Sequence, residues 1–217
     1  MYNDPQIKND ILSELEWNPQ IDPEDIGVEV HDGAVTLNGH VPTYAQKYAA
    51  KQCAKRVASV HALVDKIDVR LGADKDLSDS EVAEKIAHVL EWSVSIPGQD
   101  IQAEVKNGFV TLNGDVDWNY QSQSVVNRIK DICGVTGISN LIKVKTRAST
   151  YDIKQKIKAA LDRHAQLEAS KIDINVSGSE VTLTGTVESI EEMDRVEEAV
   201  WSAAGVTKIN DELRVAT

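Results

Sequence analysis

Three stretches of this chain lie over one another residue by residue: Val30 to Val41 (VHDGAVTLNGHV), Val105 to Val116 (VKNGFVTLNGDV) and Val176 to Val187 (VSGSEVTLTGTV). The offsets are 75 residues (30 to 105) and 71 residues (105 to 176). The same two offsets carry Ile7 onto Val82 and Ile153, Ile11 onto Ile86 and Ile157, and Leu15 onto Leu90 and Leu161. Further along they carry Val60 onto Val135 and Val206, and Val69 onto Val144 and Val215. One frame that aligns segments so far apart means three copies of a single unit, not one large core.

Each copy opens with a helix. Apolar residues at 7, 11 and 15, at 82, 86 and 90, and at 153, 157 and 161 fall four apart, on one helical stripe. Asp4, Asp79 and Thr150 stand where an N-cap is expected, and Pro5 suits a first helical position because it has no N–H to lose. Two strands follow. Ile26, Val28 and Val30 alternate with other residues, as do Val35, Leu37 and Gly39, the period of a strand buried on one face. Asp32-Gly33 and Asn107-Gly108 tolerate the positive φ angles of a tight hairpin turn, whereas Gly178-Ser179 predicts a different turn type. A second helix carries Ala50, Ala54 and Val57, then Val125, Ile129 and Ile132, then Val196, Val200 and Ala203. A last strand runs through Ile67 to Val69, Ile142 to Val144 and Leu213 to Val215.

The expected fold class is therefore α+β: three tandem α-β-β-α-β domains, each a three-stranded mixed sheet with two helices on one face. The domains are placed at 1–72, 78–147 and 149–217, separated by short polar linkers, Gly72 to Ser78 and Thr146 to Ser149. A unit of roughly sixty ordered residues is marginal alone, so adjacent copies are expected to touch.

Charge narrows the partners. A net charge of −12 opposes a duplex nucleic-acid partner and non-specific adhesion to an anionic membrane. A KH-like RNA role is opposed by the same acidity and by the lack of a G-x-x-G clamp. Met1 to Pro5 has neither a basic nor an apolar region of a secretory signal, and no apolar run approaches a membrane span. These features predict a cytoplasmic protein, or a periplasmic one if a leader was removed. Cys53 and Cys133 occupy different positions of their copies, so a shared disulfide is not expected, and both read as small, partly buried helix residues.

The assembled pattern resembles the BON family (bacterial OsmY and nodulation). The resemblance rests on Gly33, Val35-Thr36-Leu37, Gly39 and Val41, and on Gly108, Val110-Thr111-Leu112, Gly114 and Val116. The third copy supplies Val181-Thr182-Leu183, Gly185 and Val187. Val60, Gly134-Val135 and Gly205-Val206 close the units, with Asp65, Asn140 and Asp211 ahead of the last strand. Ser59 departs from the family glycine before Val60, and Ser179 from the turn glycine. The resemblance implies a non-catalytic module tied to osmotic stress and to membrane or phospholipid attachment, with no catalytic residue and no cofactor. Phospholipid or an envelope or stress protein is the implied partner. A cytoplasmic sensor or buffer of a small solute or ion such as potassium is the alternative.

Four aromatic residues are candidates for a lipid or partner contact. Trp118 and Tyr120 follow the second hairpin, where the other copies have Thr43 and Ala45, and Ser189 and Glu191. An aromatic there suits a boundary between polar and apolar phases, which makes this pair the leading candidate for a membrane contact, with packing between copies as the alternative. Trp17 and Trp92 share a position at the end of the first helix, off its apolar stripe; packing between copies is the ordinary expectation, an exposed apolar patch the sharper one. Trp201 reads as partial core. Gly39, Gly114 and Gly185 share one strand position, expected to permit a bend or the close approach of a helix. The five histidines form no ligand set that recurs between copies, so no metal is expected, and the acidic run from Glu188 to Glu198 reads as a solvated helix face. No nucleophile elbow or phosphate-binding glycine loop is present, so an enzyme is not expected.

Overall fold

The computed structural model describes residues 3–72, 77–92, 101–145, 157, 172–203 and 205–216. The first copy runs α1 (Asp4–Trp17), a 3-10 turn (Pro23–Asp25), β1 (Ile26–His31), β2 (Ala34–Val41), α2 (Tyr44–Arg56) and β3 (Ala62–Val69). In the second copy the order is α3 (Asp79–Glu91), β4 (Ile101–Lys106), β5 (Phe109–Val116), α4 (Asn119–Ile129) and β6 (Gly137–Val144). The third contributes β7 (Ile172–Ser177), β8 (Glu180–Val187), α5 (Ile190–Trp201) and β9 (Lys208–Val215). Its expected first helix lies outside the described residues, Thr150, Ile153 and Leu161 included. Ile157 alone is described, helical and buried in the third core.

Each copy has its own three-stranded sheet, ordered β1-β2-β3, β4-β5-β6 and β7-β8-β9. The hairpin strands β4 and β5 run antiparallel with Val105 opposite Val110, while β5 and β6 are parallel with Val110 opposite Ile138. The third sheet repeats this arrangement, with Val176 opposite Val181 and Val181 opposite Ile209. A parallel neighbour requires a crossover, and α4 and α5 supply it. The α+β, mixed-sheet reading of the sequence therefore describes all three sheets.

Alternation along the central strand sets the core. Val35, Leu37 and Val41 are buried, as are Val110, Leu112 and Val116, and Val181, Leu183 and Val187. The helical stripes Ile7, Ile11 and Leu15, and Val82, Ile86 and Leu90, are buried with them. All three second helices end earlier than their apolar spacing predicted: Val57 lies just past α2, Ile132 three residues past α4 and Ala203 two past α5. Cys133 consequently sits in the turn after α4, half-buried, not in a helix; Cys53 is buried on α2, and both thiols are free.

Two expected N-caps are wrong by one residue. Asn3 caps α1, its side chain accepting from Gln6 N–H, and Ser78 caps α3 in a capping box with Glu81. Asp4 and Asp79 are instead the first helical residues, and their carboxylates serve the hairpin turn. Asp4 accepts from the N–H groups of Asp32 and Gly33 at 2.9 and 3.1 Å, and Asp79 from those of Asn107 and Gly108 at 2.9 and 2.8 Å. These two bonds hold the Asp4 carboxyl below its ordinary pKa, the Gly33 bond contributing most. Both turns have positive φ at both central residues, whereas positive φ in the third is confined to Gly178, so that turn does differ in type.

Gly39, Gly114 and Gly185 have φ of 113, 144 and 134°, an extended backbone region open essentially to glycine. Their shared position is fixed by backbone conformation.

By contact, the chain divides into two compact units: residues 1–38, 50–66 and 146–217 form one, and residues 39–49 and 67–145 the other. The third copy and most of the first lie in one unit. The second copy and the remaining edge of the first lie in the other.

Candidate binding surface

The exposed aromatics come from two kinds of position. Trp17 closes α1 and is 89% exposed; Trp92 follows α3 at the equivalent place and is 82% exposed. The core stripe of each helix points inward, and the residue two beyond its last member points away from it. Packing between copies, the ordinary expectation, would have covered these indoles, and they are not covered.

Trp118 and Tyr120 differ from each other. Tyr120, in the first turn of α4, is 60% exposed, and Trp118, the residue before α4, is half-buried. The other copies use a hydroxyl at this N-cap: Thr43 accepts from Gln46 N–H at 3.3 Å and Ser189 from Glu192 N–H at 3.1 Å. An indole has no such acceptor. Only the reach-back half remains: Gln121 Oε1 accepts from the N–H groups of Asp117 and Trp118, both at 3.0 Å, as Glu192 accepts from Glu188 N–H beside the Ser189 cap. Trp118 thus displaces a favourable cap worth about 1 kcal/mol. Trp201 is half-buried at the end of α5, against the third core, in line with a partial-core role.

Three exposed apolar residues escaped the sequence reading: Val64 on β3, 44% exposed, and two in the second copy. Phe109 and Leu141 face outward on the second sheet, 47% and 53% exposed. The strand alternation that buries Val110 and Leu112 is the signal that places Phe109 outside. Phe109 has a structural task there: it pairs with Gly137, and a Cβ on that glycine would meet its ring at 2.5 Å, so the ring covers a bare stretch of backbone. In the third copy the same register position carries the ion pair of Lys208 and Glu180.

Within each unit one copy meets another. In the first unit Lys55 of α2 bonds Asp194 of α5 at 2.7 Å, Arg56 lies 3.5 Å from Glu191, and Ser59 N–H donates to the Glu188 carbonyl at 3.3 Å. In the second unit the Lys130 ammonium stands 4.8 Å from the centre of the Tyr48 ring. Tyr44 packs against the second copy's core. A cleft of about 230 Å³ follows that seam, lined by Tyr44, Ala45, Leu71, Asp131, Cys133 and Gly134 among others. It is smaller than the roughly 300–1,000 Å³ usual for a small-molecule site.

The acids with displaced pKa values have structural explanations. Ser78 lowers Glu81 through the capping box, and Lys208 lowers Glu180. Glu197 is pushed up, first by burial and then by Asp211 and Asp194. Among the described residues, one group of potential metal ligands gathers, Asp4, His31 and Asp32. Asp4 already accepts two backbone N–H bonds there. Lys106 and Asn107 replace His31 and Asp32 in the second copy, so the group does not recur.

A helix, a hairpin closed by a glycine-containing turn, and a helical crossover to a third strand, repeated in tandem around V-T-L-x-G-x-V, define a chain built from small α+β modules of one kind. It belongs to the BON domain family, whose model matches residues 3–70, 78–146 and 149–217. It is similar to osmotically-inducible protein Y of Escherichia coli (strain K12), with 26% identity over 189 residues, 83% of this chain and 92% of that protein. Among solved structures, it aligns with CdsD, a structural protein of the type III secretion system of Chlamydia trachomatis. That match has 13% identity and a TM-score of 0.27, covering 96% of this chain and 91% of the other. The PrgH periplasmic domain aligns at 9% identity and a TM-score of 0.23, covering 89% and 96%. At such scores neither structural likeness bears on fold or function. No helix among the described residues is long and apolar enough to cross a membrane.

Proposed function

We propose that this chain is a non-catalytic, stress-associated binding module of three domains, bounded near 1–72, 78–147 and 149–217, that attaches to a phospholipid surface through Trp17 and Trp92. The observation carrying this reading is the near-complete exposure of two indoles at equivalent ends of α1 and α3. An indole with an apolar body and an N–H donor is suited to the boundary between headgroup and acyl chain. Each indole is an anchor on its own compact unit. The resemblance to an osmotically induced protein supports the stress association. Trp118 and Tyr120 belong to another surface, at the start of α4.

Co-sedimentation with phosphatidylcholine vesicles, read together with tryptophan fluorescence, tests this. The wild-type chain is expected to sediment with the vesicles and to shift its emission to the blue. Burying an aromatic side chain is worth on the order of 2 kcal/mol, so the double variant Trp17→Ala, Trp92→Ala should bind at least tenfold more weakly. A wild-type chain left in the supernatant, or undiminished binding by the double variant, would overturn the reading.

A further inference from the structure

The two contacts between copies are the same contact, used twice. Tyr48 and Asp194 are equivalent residues of the first and third copies, and their partners Lys130 and Lys55 are equivalent residues of the second and first. Glu191 corresponds to Ala45, and its partner Arg56 to Asp131; Ala45 and Asp131 line one cleft. Each pairing therefore sets the start of one copy's second helix against the end of another's. The start of α5 meets the end of α2, and the start of α2 meets the end of α4.

Among the described residues, that pattern leaves one surface of each kind over: the start of α4 in the second copy and the end of α5 in the third. Exposure agrees. Ala45 and Glu191 are half-buried, but their counterpart Tyr120 is 60% exposed. Tyr48 and Asp194 are half-buried, whereas their counterpart Gln123 is exposed. At the other end, Trp201 and Ser202 stand where Lys55 and Arg56, and Lys130 and Asp131, stand; in all three copies the first residue is half-buried and the second exposed, so this end is assigned by equivalence of position.

The chemistry of the leftover surfaces also matches. Where the third copy meets the first, an acidic helix start (Glu191, Asp194) faces a basic helix end (Lys55, Arg56). The leftover helix start offers Tyr120 and Gln123 and the leftover end Trp201 and Ser202, all uncharged, with an aromatic on each side. Aromatic enrichment and loss of charge distinguish the centre of an interface from ordinary surface.

We propose that this chain associates with further copies of itself, the start of α4 in one molecule docking on the end of α5 in the next. The contact is heterologous, so it propagates head to tail into open oligomers, or closes into a ring if its rotation allows. It extends between molecules the contact already made twice within one.

Sedimentation velocity over a wide range of protein concentration tests the proposal. The wild-type sedimentation coefficient is expected to rise with concentration. Tyr120→Glu, which places at an exposed site the residue the third copy carries at 191, and Trp201→Glu should each remain monomeric. Each retains one intact surface of opposite kind, so an equimolar mixture of the two should form a dimer and nothing larger. Ser202→Glu, at an exposed position, tests the α5 surface if Trp201→Glu fails to fold, with thermal melts as the control. A wild-type chain monomeric at every concentration, single variants that still assemble, or a mixture that stays monomeric would overturn the proposal. None of these substitutions touches Trp17 or Trp92, so the outcome is independent of the lipid reading.

Discussion

One backbone position is repeated three times with positive φ: 63° at Ser59, 93° at Gly134 and 101° at Gly205. A side chain in the left-handed region costs about 1–2 kcal/mol, and glycine restores about 0.5–1 kcal/mol of that cost through the entropy of the unfolded chain. Ser59→Gly is therefore expected to stabilise the protein by about 0.5–1 kcal/mol, as an increased midpoint of urea unfolding. Destabilisation would mean that the Ser59 hydroxyl contributes a bond that outweighs the strain. The reverse change, Gly134→Ser, meets Val82 Cγ2 at 2.6 Å as well. Ser59 was legible as a departure because its neighbours in the repeat are glycines. Asp4 and Asp79 were not legible in full. Asn3-Asp4 and Ser78-Asp79 each place two capable caps side by side, and the residues that decide between them, Asp32-Gly33 and Asn107-Gly108, are 28 and 29 positions away.

Between a helix and the last strand, the copies solve one packing problem differently. In the first, Lys51 of α2 bridges Asp65 of β3 at 3.3 Å; in the second, Asn140 donates to Ser122 at 2.8 Å. The third sets two acids, Glu197 of α5 and Asp211 of β9, against each other, and burial with the charges of Asp211 and Asp194 raises the Glu197 pKa above its ordinary 4.5. A raised acid favours the folded state while it holds its proton. That contribution is complete below the unfolded pKa and disappears as pH rises through the folded one. Glu197→Gln keeps the neutral form at every pH, so it is expected to raise the melting temperature at pH 7 and leave it nearly unchanged at pH 4. Equal effects at both pH values would show that charge is not the cause. The helix and strand that carry this pair were legible from apolar spacing, because the core dictates that period. The acid pair was not, since the run from Glu188 to Glu198 reads as a solvated face until β9 is packed against it.

For the whole molecule, the repeat made the fold legible, since three registered copies of Val-Thr-Leu over paired helical stripes admit few other arrangements. The binding surface was less so. Trp17 and Trp92 could be placed off the core stripe from sequence, but their exposure depends on where the other copies pack, and that follows from junction residues such as Lys55 and Tyr48. Net charge then decides which surface these indoles can reach. The chain carries −12, and α1 places Asp10, Glu14 and Glu16 on the helix that ends in Trp17. An anionic vesicle repels such a chain through the solvent, and salt weakens that repulsion as the Debye length falls to about 10 Å at 0.1 M. Insertion of an indole is insensitive to moderate salt by comparison. Binding to phosphatidylcholine vesicles should therefore change little between low and physiological salt, while binding to anionic vesicles should be weak at low salt and strengthen as salt is added. A protein held by a basic patch does the opposite. Co-sedimentation at two salt concentrations on both vesicle types separates the cases: anionic binding that falls with salt would place the contact on clustered Lys and Arg, not on Trp17 and Trp92.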